Sequence, residues 1–193
     1  MQTTDKVKIL ELLERTDSIR RGHFELSSGL HSSQYFQCAK LLQYPDIAGE
    51  VGSRLAQLFD MEIDLVVGPA LGGIIIAHEV GRALNKRTIF AERKDGTLCI
   101  RRGFEISKGE RIIILEDVIT TAKSAKETAE IIKEWGGEIV GYGCIVDRSE
   151  GKTGLNIKSL LQMTPEVYDP SACPLCKQGS KAEKPGSRTT TRP

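Results

Sequence analysis

Two adjacent carboxylates, Glu116 and Asp117, stand between an apolar run and a stretch rich in hydroxyl side chains. The apolar run, residues 111 to 115, predicts a buried strand, and residues 120 to 124 lead into a predicted helix. Ligands of open α/β sheets bind at the carboxyl ends of strands, and a helix N-terminus offers free N–H groups to a phosphate. Carboxylates accept hydrogen bonds, so the pair indicates that the ligand also carries hydroxyl groups, as a ribose does.

A second candidate is a loop of small residues, Gly68 to Gly73, between a short apolar strand and a predicted helix. Small residues let backbone amides reach an anion. A loop of this kind is, on its own, more often a tight turn than a binding site.

Four cations form the third candidate, in a glycine-containing stretch from residue 92 to residue 103. They are Arg93, Lys94, Arg101 and Arg102. The stretch is either a solvated basic hairpin or a mobile lid whose cations neutralise the charge of a leaving group.

The elements that must position these residues alternate between strands and helices. The N-terminal part predicts a helix at 5 to 15, a strand and hairpin at 22 to 29, a return strand at 34 to 38 and a helix from Pro45. Later strands are predicted at 65 to 67, 87 to 91, 111 to 115 and 138 to 146, with helices at 73 to 84 and 124 to 135. Buried apolar strands that alternate with helices predict an α/β fold, with a parallel sheet covered on both faces.

Composition limits the functional classes. The 193 residues suit one domain, and 27 Lys and Arg against 26 Asp and Glu argue against a dedicated nucleic-acid surface. No apolar run reaches the length of a membrane helix, and the polar start predicts no signal peptide. The five cysteines are odd in number and mostly scattered, so we expect reduced thiols and a cytoplasmic protein.

The C-terminal part carries one further motif, the CxxC of Cys173 and Cys176. Without a second pair or a nearby histidine it is an incomplete zinc site, so we expect a local structural turn, with a metal shared between subunits as the alternative. We expect His23, His31 and His78 not to form a ligand cluster. Residues 177 to 193 lack large apolar side chains and predict a disordered tail after a single domain of residues 1 to 176.

The run from residue 112 to residue 124 resembles the binding motif for 5-phosphoribosyl 1-diphosphate (PRPP) in type I phosphoribosyltransferases. That resemblance implies that the acids bind the ribose hydroxyls and the loop binds the 5-phosphate. The implied PRPP-binding residues are Glu116, Asp117, Val118, Ile119, Thr120, Thr121, Ala122, Lys123 and Ser124, with Leu71 and Gly72 from the small-residue loop. In the family this small-residue loop often carries a cis peptide, which would here involve Leu71. The family usually has Gly after the Thr pair, whereas this chain has Ala122 and then Lys123, which either adds charge or faces solvent.

Other segments resemble the orotate phosphoribosyltransferases. They are Phe24 to Gly29, Tyr35-Phe36, Arg93-Lys94 with a later Arg-Arg-Gly-Phe, and Arg148 after a strand. Many members have Lys where this chain has Ser27. The implied orotate contacts are Thr120, Arg148 and an aromatic ring from Tyr35 or Phe36, and the implied catalytic residues are Arg93, Lys94, Arg101, Arg102 and Asp117.

The resemblance implies a type I phosphoribosyltransferase fold with a small hood from about residues 1 to 60. It implies transfer of the phosphoribosyl group from PRPP to orotate, with Mg²⁺ held mainly by PRPP and no protein metal ligands. It also implies a homodimer in which the 93–103 loop completes the neighbour's site, and no nucleic-acid or membrane partner. Two alternatives stay open: a phosphoribosyltransferase for a purine or another base, and a non-catalytic PRPP-sensing regulator.

Overall fold

The computed structural model describes residues 3–26, 28–164 and 166–185. Its helices are α1 (Thr3–Arg15), α2 (Ala39–Leu42), α3 (Pro45–Ala56), α4 (Gly72–Leu84), α5 (Lys123–Glu134) and α6 (Pro174–Lys177). Its strands are β1 (Ile19–Glu25), β2 (His31–Phe36), β3 (Leu65–Pro69), β4 (Arg87–Lys94), β5 (Thr97–Cys99), β6 (Arg111–Ile119), β7 (Glu138–Asp147), β8 (Ile157–Gln162) and β9 (Val167–Tyr168). Within this described part, no helix is both long and apolar enough to cross a bilayer.

The central sheet has six strands in the order β5-β4-β3-β6-β7-β8. All neighbouring pairs are parallel except β4 and β5, which form an antiparallel hairpin at one edge. All five residues of β3 are buried, as expected for a strand that is covered on both faces. Two apolar clusters fill the core, one of them including Val66 and Ile113 and the other including Val67 and Ile114. Successive strand residues point to opposite faces, so the two clusters cover both faces of the sheet and confirm the predicted α/β fold.

A smaller antiparallel sheet, β1-β2-β9, stands apart from the central one and forms the hood. The predicted N-terminal hairpin supplies β1 and β2. Its third strand, β9, comes from far along the chain and pairs His31 with Tyr168. The apolar patterns did not reveal β8, β9 or α6, because β9 and α6 are very short and polar residues interrupt β8.

Residues 177–185 differ from the disorder predicted for them, because Lys177 ends α6 and Ser180, Glu183 and Lys184 contact β1. The Glu25 N–H donates to the Glu183 carbonyl at 2.8 Å, and the Glu183 N–H donates to the His23 carbonyl at 2.8 Å. The Arg20 guanidinium holds both carboxylate oxygens of Glu183 at 2.9 Å. Backbone pairing and a bidentate ion pair thus replace the apolar side chains that this stretch lacks. Residues 186–193 lie outside the described residues.

Candidate active site

The acid pair lies inside β6, because this strand runs four residues beyond its predicted end at 115. Parallel pairing with β7 continues to the last residue, where Ile119 faces Asp147, so the backbone stays extended past the apolar run. Glu116 and Asp117 therefore project from the carboxyl end of a central strand. This is the edge where open α/β sheets bind ligands.

Both carboxyl groups of the pair have raised pKa values. Burial, followed by the charge of Asp117, raises the pKa of Glu116 to about 7. Burial also raises the pKa of Asp117, although the Val118 N–H donates to its Oδ1 at 2.9 Å and opposes the rise. Burial of the two carboxylates is thus not offset by enough hydrogen-bond donors or positive charge from the protein. A ligand that supplies donors or positive charge would therefore bind favourably here.

The loop before α4 packs directly against this pair. A Cβ on Gly72 would lie 2.3 Å from Asp117 Oδ1, so a larger residue at this position would have to displace that carboxylate. The preceding peptide bond, Ala70–Leu71, is cis, as the family resemblance implied. Leu71 itself is 84% exposed.

Ala122, which stands where the family usually has glycine, has a backbone conformation in which glycine is usual. Ala122 precedes α5 with φ 57° and ψ 25°, which is the left-handed region. Its methyl group is buried in the core, and its carbonyl accepts the first helical hydrogen bond from Lys126 at 2.9 Å. Lys123 is exposed, with its Nζ 3.9 Å from Glu127 Oε1. The loop thus keeps the backbone shape expected of glycine, and Lys123 points toward solvent.

The basic stretch is a hairpin formed by β4 and β5. Its turn residues, Asp95 and Gly96, have φ values of 52° and 85°, as in the two-residue turns that suit the twist of paired strands. Leu98 and Ile100 are buried in the core, so the base of the hairpin is anchored. Lys94 is exposed near the tip, and none of the described residues forms an ion pair with it.

The three arginines of the hairpin form ion pairs with acidic side chains of the same chain. Arg101 donates to Glu92 at 2.8 Å, and Arg102 binds the same carboxylate through two nitrogens at 2.7 and 2.9 Å. Arg93 donates to Glu127 of α5 at 2.5 Å. The hairpin is therefore linked by an ion pair to α5, the helix that follows the hydroxyl-rich loop of residues 120–122. Its arginines do not lie at the acid pair.

A cleft of about 790 Å³ opens between the hood and the carboxyl end of the sheet. It is lined by Glu25, Leu26, Ser28, Leu30, Tyr35, Thr120, Thr121, Arg148, Ser149, Glu150, Lys152, Thr153, Thr164, Val167 and Pro185. Tyr35, Thr120 and Arg148 were predicted to contact the base. Apart from Arg148, the sequence did not single out the 148–153 turn or Pro185, because only the tertiary fold brings them to the cleft.

Phe36 does not line the cleft, which corrects its prediction as an aromatic contact for the base. Neighbouring residues of a strand point to opposite faces, so with Tyr35 in the cleft Phe36 enters the core. It lies beneath Arg148, whose guanidinium carbon is 5.0 Å from the centre of the Phe36 ring. The Nε of Arg148 is buried and has no hydrogen-bond partner among the described residues, and burial lowers the pKa of this side chain.

Two of the three histidines lie together with the CxxC motif, contrary to the expectation that they form no cluster. His23 Nε2 is 2.8 Å from His31 Nδ1 and 3.5 Å from Cys173 Sγ. Cys176 Sγ is 3.3 Å from His31 Nδ1. His78 is exposed on α4 and is not part of this group. The spacing of the histidines gave no signal, because the fold brings them to the two cysteines from about 150 residues away.

Comparison with known proteins shows the family to which the chain belongs. The phosphoribosyl transferase domain family matches residues 38–158. The chain is 51% identical over 187 residues to the orotate phosphoribosyltransferase of Caldicellulosiruptor saccharolyticus, covering 95% of this chain and 98% of that protein. This chain belongs to the orotate phosphoribosyltransferase family.

Solved structures show that the orotate phosphoribosyltransferase fold is shared more widely than the activity. The Mycobacterium tuberculosis orotate phosphoribosyltransferase in complex with inorganic phosphate matches with a TM-score of 0.65 at 25% identity, over 82% of this chain and 96% of that one. Adenine phosphoribosyltransferase from Thermoanaerobacter pseudethanolicus gives the same TM-score, 0.65, at 16% identity, over 79% of this chain and 99% of that one. The fold therefore does not decide which base is used, and the near-full-length sequence identity carries that distinction.

Proposed function

We infer that the chain transfers the 5-phosphoribosyl group from PRPP to orotate, giving orotidine 5′-monophosphate and diphosphate. The observation that carries this inference is the position of Arg148: it is half-buried in the same cleft as Thr120 and Thr121, and its buried Nε has no hydrogen-bond partner among the described residues. A guanidinium suits a planar carboxylate, and the hydroxyl loop beside it suits a phosphate. Orotate carries the carboxylate and PRPP the phosphate, so one cleft accepts both.

The acid pair and the loops orient PRPP. Glu116 and Asp117 accept hydrogen bonds from the ribose hydroxyls, and their carboxylates lie near the ring as positive charge develops on the sugar. The 5-phosphate binds the free amides and hydroxyls at the start of α5. The backbone around Leu71 and Gly72 faces the diphosphate. With the sugar fixed at both ends, its anomeric carbon is held toward the base.

Arg148 and Tyr35 orient the base. Arg148 binds the orotate carboxylate while Phe36 supports its guanidinium from below, and Tyr35 offers its ring to the pyrimidine. The C–O bond to diphosphate breaks as the bond from the orotate ring nitrogen to the anomeric carbon forms. The ring proton leaves to solvent, because orotate's ring N–H is acidic enough to need no strong base.

The cations of the hairpin serve the departing diphosphate of a neighbouring subunit in a homodimer. Arg101 and Arg102 share one carboxylate, and Lys94 is exposed, so positive charge is available once the hairpin moves. A mixture of Lys94→Ala and Arg148→Ala proteins tests the arrangement. If the loop acts across the interface, mixed dimers contain one intact site and regain activity that neither variant has alone. If the loop acts within its own chain, mixing restores nothing.

Magnesium enters with PRPP. The acid pair provides two oxygen donors, and no third carboxylate, His or Cys joins it within the part of the chain described. This fits Mg²⁺, which prefers substrate phosphates supplemented by one or two carboxylates. When bound, the ion neutralises charge on the diphosphate. Activity should disappear with a chelator and return with added Mg²⁺.

Steady-state turnover separates the candidate functions. With PRPP and Mg²⁺, orotate absorbance should fall, and adenine or hypoxanthine should not be consumed. Consumption of a purine instead would identify a purine phosphoribosyltransferase. PRPP binding without turnover of any base would identify a regulator.

A cytoplasmic location follows from the proposed role with small, charged substrates, and it stays a prediction. Cell fractionation with an antibody to the chain tests it. Recovery of most of the protein in the membrane fraction would contradict it.

A further inference from the structure

A second constellation of side chains lies in the hood and belongs to no step of the transfer reaction. It consists of His23 on β1, His31 on β2, Cys173 just before α6 and Cys176 within it. The four possible ligand atoms all lie within 4.8 Å of one another. We propose that these residues bind one zinc ion as a structural site.

The distances fit tetrahedral zinc. With bonds of about 2.3 Å to sulfur and about 2.05 Å to nitrogen, tetrahedral ligand atoms of different type lie about 3.6 Å apart. Cys173 Sγ and Cys176 Sγ lie 3.5 and 3.7 Å from His23 Nε2, and Cys176 Sγ lies 3.3 Å from His31 Nδ1. The two histidine nitrogens are 2.8 Å apart and would have to separate by about 0.5 Å, which a small rotation of the partly exposed His31 ring allows.

A hydrogen bond on one side of the His23 ring orients the other ring nitrogen, Nε2, for metal binding. Its Nδ1 lies 3.1 Å from the carbonyl oxygen of Ser180, which can only accept a hydrogen bond. The proton of the neutral ring is therefore on Nδ1, and the lone pair of Nε2 points toward the two sulfur atoms. Zinc-binding histidines commonly have such an orienting contact.

The ligand set also indicates the metal and its role. Two thiolates and two imidazoles in a tetrahedron favour zinc among the common divalent ions. Four protein ligands leave no open position for water or substrate, so the ion would hold structure rather than react. The two cysteines are separated by two residues, a spacing typical of zinc sites, and His23 and Cys173 are buried.

The site would fasten two distant parts of the chain. The hood hairpin supplies both histidines, and the segment around α6 supplies both cysteines. Other contacts between these segments include the β2–β9 pairing and the backbone hydrogen bonds of Glu183 with β1. A metal bond between these segments would close a loop of about 150 residues, which stabilises a fold more than a short loop does.

Metal content of the full chain tests the proposal directly. Protein made without a histidine tag, in medium that contains zinc, iron and copper, should hold about one zinc per chain by elemental analysis. The Cys176→Ser and His31→Asn variants alter the more accessible ligands and should lose most of it. Cys99→Ser and His78→Asn alter the same residue types outside the cluster and should retain it.

Cobalt provides a readout that does not depend on activity. Apo protein titrated with Co²⁺ should develop the visible absorption of a tetrahedral thiolate site, and zinc should bleach it. Removal of zinc should lower the melting temperature by roughly 10 °C or more. If ligand variants fail to fold, the cobalt spectrum of the unmodified chain still decides.

Three results would overturn the proposal. One is reduced protein that binds neither zinc nor cobalt at one ion per chain. Another is zinc content unchanged in both ligand variants. A third is a disulfide between Cys173 and Cys176 in protein freshly purified under mildly reducing conditions.

Discussion

The Cα of Gly72 lies so close to Asp117 that a methyl group there would sit 2.3 Å from carboxylate Oδ1. The loop before α4 and the acid pair of β6 thus constrain each other. Gly72→Ala should push the carboxylate away and lower kcat/KM for PRPP by about 100-fold, or about 2.7 kcal/mol. Gly49→Ala is the matched helical control, because its methyl would come too close only to the flexible end of Arg82 and would make an ordinary contact with Glu79 Oε2 at 3.5 Å. Equal kinetics for the two variants would contradict the constraint.

Ala122 combines a strained backbone with a buried methyl group. Ala122→Gly relieves about 1 kcal/mol of left-handed strain but loses about 0.8 kcal/mol of burial, so the free energy of unfolding should change little. Ala122→Val adds a β-branched side chain at positive φ and should cost more than about 2 kcal/mol, with weaker PRPP binding. Urea unfolding and PRPP titration of the three proteins measure this. A valine variant as stable as the parent would refute the left-handed conformation.

Arg148 should matter for orotate far more than for PRPP. Arg148→Ala removes the partner of the carboxylate and should raise KM for orotate about 100-fold, while KM for PRPP changes a few-fold at most. Arg148→Lys should not restore it, because an ammonium lacks the bidentate fork and the flat face that lies on Phe36. Steady-state kinetics with each substrate varied in turn provide the measurement. A similar rise in both Michaelis constants would remove Arg148 from the base site.

Glu116 should make the fold less stable as pH rises. Its folded pKa of about 7 lies above the ordinary value of 4.5, so the folded chain keeps a proton that the unfolded chain loses between these values. Stability from this group therefore falls across pH 4.5 to 7, by up to about 3 kcal/mol. Relative to the parent, Glu116→Gln should gain about that much on going from pH 4.5 to 8.

Urea unfolding at several pH values tests the Glu116 prediction. Glu11→Gln, an exposed change on α1, serves as control and should follow the parent curve. A constant difference between Glu116→Gln and the parent at every pH would show that burial of this carboxylate does not cost stability.

Local patterns in the sequence were sufficient for most of the fold. The apolar runs of β3, β6 and β7 and the alternating helices indicated a parallel sheet, because burial on both faces requires continuous apolar residues. The acid pair and hydroxyl loop indicated a phosphorylated ribose. Two carboxylates at the end of a strand suit sugar hydroxyls, and hydroxyls at the start of the next helix suit a phosphate. The elements β9 and α6 were missed because periodicity needs more residues than they contain, and β8 was missed because polar residues interrupt its apolar run.

The sequence by itself determined the sheet, the sugar-phosphate site and the family, because these depend on neighbours along the chain and on motifs read in order. Only the tertiary structure decided that Tyr35 faces the cleft while Phe36 supports Arg148, since a strand's two faces become distinct only when one of them is packed. It also decided that His23 and His31 meet Cys173 and Cys176, and that residues 180–184 contact β1. Such contacts join residues about 150 positions apart. Local sequence patterns cannot predict them, because they form only when the sheet and hood bring distant segments together.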